Sequence, residues 1–444
     1  MFSFHNIKTR MAAVYFMQFA VWGCYLSCFG QLLGAGGLGD RIQWFYAALG
    51  LVSLVTPPAA GHVADRFVAP ARLLGLCHLA AALAMCAAWL YSTSHARLEF
   101  LPFFTLYVCF LAFYMPTMAL SATTAFTLLK SEGLNPVSSF PTIRVWGTVG
   151  FVAAMWFVNS AYIYDGHFGI IFSDMSPASR LRFQYTPMQL LCSSMAGIVT
   201  ALLTLTLPAI RPQKETHNPT VATERRSPFT SPAIRNFLLL IIFSGVCLQI
   251  SNGYVVPFIN HFMGVAQYAG NAVAANATGL FSLSQISEAL CLVIVGIFIR
   301  RWGYKAVMVT AMCAWCLRFL CLACGNPGSG LWLLILSMLS YGVAFSFLNI
   351  AGPLYMEHLA DSSRKGVAQG LIMTMSNGIG ATVGMLGAGE VINRYCHWQP
   401  VSLTGNVTMP LFMGDWTAPW LIFAAYAAVV AALFALFLQG KKLF

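Results

Sequence analysis

Twelve apolar runs, each followed by a short polar interruption, occupy most of the chain. They cover about residues 11–33, 44–64, 73–91, 98–129, 141–163, 188–210, 236–263, 272–299, 306–324, 331–359, 366–391 and 416–438. Each reaches the ~20 residues that a helical bilayer crossing requires, so the pattern predicts twelve transmembrane helices. The longest polar connection, residues 211–232, holds four prolines and four basic residues and has no hydrophobic periodicity. It reads as a linker between two six-helix halves, residues 1–210 and 233–444.

Composition agrees. Hydrophobic residues make up 59% of the 444 residues and charged residues only 8%, where a soluble domain carries about 25% charged. The chain is read as an all-α polytopic membrane protein embedded in a lipid bilayer. An even helix count puts both termini on one side. Seventeen of the 24 Lys and Arg residues lie on that side; Arg41, Arg97, Arg180, Arg182 and Arg394 lie on the other. This asymmetry predicts cytoplasmic termini. The net charge of +11 therefore reflects membrane topology and not a nucleic-acid footprint, which would need a basic stripe. Residues 1–10 are short and basic, and the apolar run after them is too long for the core of a cleavable signal. Cys313-x-x-Cys316 and Cys321-x-x-Cys324 have zinc-like spacing, but both pairs fall in one predicted helix with no loop to close a tetrahedron. No metal or other cofactor is expected.

The halves echo each other. Gly61-His-Val-Ala-Asp65-Arg66 follows the second segment; Gly296-Ile-Phe-Ile-Arg300-Arg301-Trp-Gly303-Tyr-Lys305 follows the eighth. The fifth and eleventh segments are glycine-bearing, and the fourth and tenth hold Pro116 and Pro353. Two halves of the same sense fit a parallel-repeat transporter with its site at the membrane midplane, between the halves.

Charged and amide groups inside the apolar runs mark that site. Arg144 and Arg318 are the two basic residues within predicted helices, and an intramembrane charge is a functional-site hypothesis by default. If the fifth helix starts at Pro141, a position that suits a first turn, then Arg144, Thr148 and Phe151 share one face. Gly147 and Gly150 would let a neighbouring backbone approach. Gln249 and Asn252, and Gln285 and Glu288, are i, i+3 pairs; Tyr341 and Phe345 are i, i+4, followed by Ser346 and Asn349; Gln18 and Trp22 lie one turn apart. Amides, one acid, one base and aromatic faces suit a neutral, flat, polar ligand. Glu288 is the one carboxylate deep in a predicted helix. Burial and a nearby guanidinium act on a carboxyl in opposite senses, a balance that proton coupling can exploit. The plainer alternatives are a snorkelling Arg144, amides that only fasten helices together, and a static Arg144–Glu288 pair that bolts the halves.

The strings Gln18-Phe-Ala-Val-Trp22-Gly23, Phe140-Pro-Thr-Ile-Arg144-Val-Trp-Gly-Thr148-Val-Gly-Phe151, Leu248-Gln249-Ile-Ser-Asn252, Ser284-Gln285-Ile-Ser-Glu288 and Tyr341-Gly-Val-Ala-Phe345 resemble the nucleoside:proton symporter family of the major facilitator superfamily, along nearly the whole chain. The resemblance implies the major facilitator fold, with twelve transmembrane helices in two pseudo-symmetric six-helix bundles, and a monomer in the bacterial inner membrane. It implies a nucleoside site lined by Arg144, Thr148, Phe151, Gln249, Asn252, Gln285, Glu288, Tyr341 and Phe345, with Glu288 and Arg144 implicated in proton coupling. Asp65 and Arg66 resemble the superfamily's gating motif, which steadies the outward-facing state against the eleventh helix; here Phe67-Val-Ala-Pro replaces its usual continuation. Ser346 stands where the family carries an Asp, so coupling would rest on Glu288 alone or be lost.

The expected function is thus nucleoside import by alternating access, driven by protons. The alternatives are a proton-independent facilitator or a major facilitator symporter for another small polar solute. An enzyme is disfavoured because no second carboxylate or His accompanies Glu288 in sequence and no nucleophile–base pair is evident. A receptor is disfavoured because the chain has almost no soluble domain.

Overall fold

The computed structural model describes residues 6–172, 180–210, 232–359, 371–403 and 407–438. The long helices of the first half are α1, Ile7–Tyr25; α2, Ile42–Arg66; α3, Pro70–Ser94; α4, Phe100–Ser131; α5, Pro136–Ser160; and α6, Met188–Leu205. A short helix, Phe29–Ala35, continues α1 after a break. The second half begins with α7, Pro232–His261. Ala277–Cys324 is two helices, α8 (277–302) and α9 (304–324), because Gly303 stands at φ 78°, ψ 169°, a conformation only glycine adopts readily. This single residue replaces the loop expected there. Then come α10, Leu331–Leu359; a π-helical stretch, Thr374–Gly380, leading into α11, Ala381–Tyr395; and α12, Thr417–Phe437. The face carrying both chain ends is called terminal here, and the opposite face distal.

Several expected limits move. Helix α5 starts at Pro136, not Pro141, because Pro136 takes the first-turn position; Pro141 lies inside the helix. The segment expected to run to residue 163 stops at Ser160, and Ala161–Tyr164 (β1) pairs antiparallel with His167–Ile170 (β2). Asp165 at φ 48° and Gly166 at φ 74° make the two-residue turn, and Asp-Gly is the sequence signal for it. Helix α6 ends at Leu205 rather than 210, shortly before Pro208. The eighth segment, expected from 272, begins at Ala277, after the separate short helix Ala272–Ala275. A second hairpin, Cys396–Leu403 (β3) with Val407–Gly414 (β4), joins α11 to α12. Its Trp398 fills the space left by Gly34 and Gly39 in the first half. The expected linker lies outside the described residues apart from Pro232, which opens α7.

The repeat is visible in the packing. In the first half α5 lies on α1, and a Cβ on Gly150 would sit 2.0 Å from the Phe16 carbonyl oxygen. In the second half the π stretch before α11 lies on α7 in the same way, with a Gly380 Cβ 2.4 Å from the Ile242 carbonyl. Without a hydrophobic drive between helices in lipid, such backbone-on-backbone contact supplies the dispersion attraction that holds them.

The halves join on the distal side. Trp156 Nε1 of α5 donates to Ser282 Oγ of α8 at 2.9 Å, and Asn159 Nδ2 donates to Asn276 Oδ1 at 2.9 Å. Thr382 Oγ1 of α11 donates to the Ala47 carbonyl of α2 at 3.2 Å, and Asn393 Nδ2 donates to the Asp40 carbonyl at 3.0 Å. Among the described residues every hydrogen bond between the halves lies on this side. The halves are therefore sealed to each other distally.

Candidate functional site

At 1.5 Å per residue, Glu288 lies about 9 Å beyond the Trp156–Ser282 contact toward the terminal face, near the middle of α8. The candidate site therefore lies just below the distal seal. From α8 and α10, Glu288 is buried (8% exposed) and Tyr341 is buried. The Tyr341 and Phe345 rings stack with centroids 5.6 Å apart at 10°. Gln285 is half-buried on α8, three residues before Glu288. Gln249 of α7 is buried and Asn252 is half-buried.

Solvent contact separates this set from the ordinary polar core. The Gln249 amide and the Glu288 carboxyl make no hydrogen bond among the described residues, yet neither is sealed from solvent. The unpartnered Asn260 amide, on the same helix as Gln249, is sealed. Unpaired but reachable groups can bind a polar ligand.

In the first half, Arg144 of α5 is half-buried. Its guanidinium lies 4.2 Å from the centroid of Phe19 of α1, and it makes no hydrogen bond or ion pair among the described residues. Its charge reaches the Glu288 carboxyl, but the two do not come within the 4.0 Å of an ion pair. The static bolt between the halves is not formed. Thr148 is half-buried on the same helix, and Phe151 is buried with its carbonyl against Gly23 of α1.

Ser346 is fully buried and donates its hydroxyl to the Glu288 backbone carbonyl at 3.0 Å. It braces α10 on α8 and offers no second acid. Asn349 is exposed. Gln18 fastens α1 to α4: its amide donates to the Thr117 carbonyl at 3.3 Å and Ser121 Oγ at 3.2 Å. Trp22 packs edge-on against Phe19 and Tyr114. His78 is fully buried against Tyr114 and away from Glu288 in the fold's other half. Arg66 is exposed at the end of α2, while the Asp65 side chain and residues 360–370, which open the eleventh segment, lie outside the described residues.

Two features escape sequence reading. Phe19, the ring beneath Arg144, is one more aromatic in an apolar run. Arg182, one of the few distal basic residues, is buried, and its Nη1 donates to Asn276 Oδ1 of the second half at 2.8 Å and to the Asn159 carbonyl at 3.1 Å. Its Nη2 donates to the Ala275 carbonyl, which also accepts from Tyr185 Oη at 3.1 Å. Its position against the charge asymmetry of the loops is the signal that could have found it.

The model of the family described as "Nucleoside H+ symporter" matches residues 5–442. The chain belongs to the nucleoside H+ symporter family. The xanthosine permease of Escherichia coli K12 is 33% identical over 436 residues, covering 97% of this chain and 95% of the relative. The nucleoside permease NupG of the same organism is 31% identical, with the same coverage. A crystal structure of the nucleoside transporter NupG superposes with a TM-score of 0.80 at 30% identity, covering 98% of this chain and 100% of that one. The fold is the major facilitator fold, a multi-pass membrane transporter of two six-helix bundles.

Proposed function

We propose that this symporter-family member is a nucleoside permease that imports its substrate by alternating access with proton symport, through a site between α5, α7, α8 and α10. What supports the reading most is the set of reachable, unpaired groups at mid-membrane: the Glu288 carboxyl from one half, the Arg144 guanidinium from the other, and the Gln249 amide beside the Tyr341–Phe345 plate. A base would lie against the aromatic plate or Phe151, with Gln249, Asn252 and Gln285 reading its edge. Arg144, Thr148 and Glu288 would meet the ribose, and Glu288 would carry the proton. Asp65 and Arg66 would serve the gate at the terminal face. The relatives are a xanthosine permease and a nucleoside permease, which favours nucleosides over other polar solutes. The bundles would meet at a linker spanning residues 211–232. With cytoplasmic termini in an inner membrane, the protein would be a monomeric carrier, closed on its outer side, that does no chemistry on its cargo.

Uptake of labelled uridine, adenosine and xanthosine, in cells lacking their own nucleoside permeases, tests this directly. Saturable uptake of at least one is expected, and none for any would remove the reading. One observation favours a second reading, a proton-independent facilitator: Ser346 spends its hydroxyl on the Glu288 backbone. Uptake into vesicles with and without an imposed pH gradient separates the two, since identical rates rule out symport.

A further inference from the structure

Arg318 stands in α9, which supplies none of the proposed binding residues, and it is fully buried. It makes no ion pair among the described residues. A buried guanidinium without an acid is costly, so its other contacts carry the explanation. Its Nε and Nη2 donate to Ser251 Oγ of α7 at 3.1 and 2.8 Å. Its Nη1 donates to the Ser337 carbonyl of α10 at 2.5 Å and to Ser284 Oγ of α8 at 3.3 Å. Each partner neighbours a site residue. Ser251 adjoins Asn252, Ser284 adjoins Gln285, and Ser337 lies one turn before Tyr341. The guanidinium carbon is 4.9 Å from the Tyr341 ring centroid, and Trp315, one turn earlier on α9, meets that ring edge-on at 5.7 Å.

We propose that Arg318 is a positioning residue for substrate binding: its planar fork ties α7, α8 and α10 together from behind and fixes the Tyr341 ring on which the nucleoside site depends. The inference rests on the site proposed above. An ammonium cannot reproduce a fork that reaches oxygens on three helices at once. With the fork removed, Tyr341 loses a neighbour that sets its ring.

The test measures uridine and inosine affinity by calorimetry on purified, monodisperse full-length protein, and KM against kcat in proteoliposomes. Arg318→Gln is expected to weaken binding about tenfold or more, as loss of hydrogen bonds to a charged group does, acting on KM more than on kcat, with partial recovery in Arg318→Lys. Added to Tyr341→Ala, Arg318→Gln should cost less than about twofold further, because residues acting through one another are non-additive. If Arg318→Gln does not fold, Ser251→Ala takes its place; it removes two of the bonds and keeps the charge, and about threefold weakening, also non-additive with Tyr341→Ala, is expected. A merely structural bolt would lower yield and leave the affinity of the folded fraction intact, which overturns the proposal, as does full additivity with Tyr341→Ala. If Tyr341→Ala weakens binding while Arg318→Gln and Ser251→Ala do not, only this inference falls. If Tyr341→Ala itself leaves affinity unchanged, the site reading falls and this inference with it.

Discussion

Removing the Arg182 side chain should open the distal seal. Arg182 is 1% exposed, and among the described residues its guanidinium makes two bonds that cross between the halves, to Asn276 Oδ1 at 2.8 Å and to the Ala275 carbonyl. Its bond to the Asn159 carbonyl stays within the first half and is lost in both states of the transporter, so it does not bear on their ratio. A hydrogen bond to a charged group is worth about 1.5–3 kcal/mol. The crossing pair sits at the upper end of that range if its acceptors are stranded and near the lower end if they are not. Tyr185 Oη still reaches the Ala275 carbonyl at 3.1 Å, and Asn159 Nδ2 still reaches Asn276 Oδ1 at 2.9 Å, so neither acceptor is stranded. Arg182→Ala should therefore cost the closed state about 2 kcal/mol, a change of about 30-fold in the ratio of distally closed to distally open molecules. A population closed about 97% of the time would become about evenly divided.

Double electron–electron resonance between His167, at the β1–β2 turn, and Gln267, in the loop before α8, reads this ratio. Both residues are exposed and they belong to opposite halves. The thirteen native cysteines make a ketone-bearing unnatural residue the better attachment point than a thiol. The parent protein should give one short distance, and Arg182→Ala a second, longer one of comparable weight, with Arg182→Lys between them. An unchanged single distance in Arg182→Ala would refute the assignment of Arg182 as the latch between the halves.

Other expectations follow from single contacts. Titrating nucleoside affinity against pH should show a strong dependence that Glu288→Gln abolishes; the same dependence in both proteins would mean that Glu288 is not the proton carrier. Gly150→Val places a Cβ 2.0 Å from the Phe16 carbonyl, and overpacking of this kind costs about 1–3 kcal/mol. Its melting temperature in detergent should fall, whereas Gly61→Ala, whose Cβ meets nothing within 4 Å, should leave it unchanged or slightly raised. Cys396 belongs to the distal hairpin outside the membrane spans, but burial, helped by nearby Asp415, pushes its thiol up to about 12. It should resist a hydrophilic maleimide at pH 8 until the protein is unfolded, and rapid labelling of the folded protein would contradict the packing of that hairpin.

Much of the fold is legible because lipid leaves the chain few options: an apolar run of sufficient length must be a helix. What escapes is where water or local turn chemistry competes. The fifth run continues apolar through Tyr162 and Ile163, so hydropathy carries the helix into β1, while Asp165-Gly166 encodes a hairpin on a scale that a twenty-residue window averages away. The β3–β4 hairpin escapes for a related reason. Its strands are half-buried against the distal loops of the other half, a contact between residues more than 350 apart in the Trp398–Gly34 case, and no local pattern announces it. Gly303 works in the opposite sense: several basic residues suggest a loop, yet one glycine at positive φ is enough to reverse the chain.

The candidate site is legible in sequence as an inventory of polar groups and not as an arrangement, and the two intramembrane arginines show why. In sequence Arg144 and Arg318 are equivalent: each is a lone guanidinium in an apolar run, and each predicts a partner, a cavity or a ligand. The structure gives them opposite circumstances. Arg318 is fully buried and engages Ser251, Ser284 and the Ser337 carbonyl, so its hydrogen-bonding capacity is largely spent inside one half and nothing remains for a ligand. Arg144 lies over the face of Phe19 and makes no hydrogen bond or ion pair among the described residues. A ring face neutralises little of a guanidinium's need for acceptors, so those donors stay available. The amides divide in the same way, with Gln18 bonded across to α4 and Gln249 unpaired but reachable. Residue type nominates the members of such a site. Satisfaction selects among them, because a group whose hydrogen bonds are already met gains little by binding a substrate, and a group left unmet in a wet opening gains much.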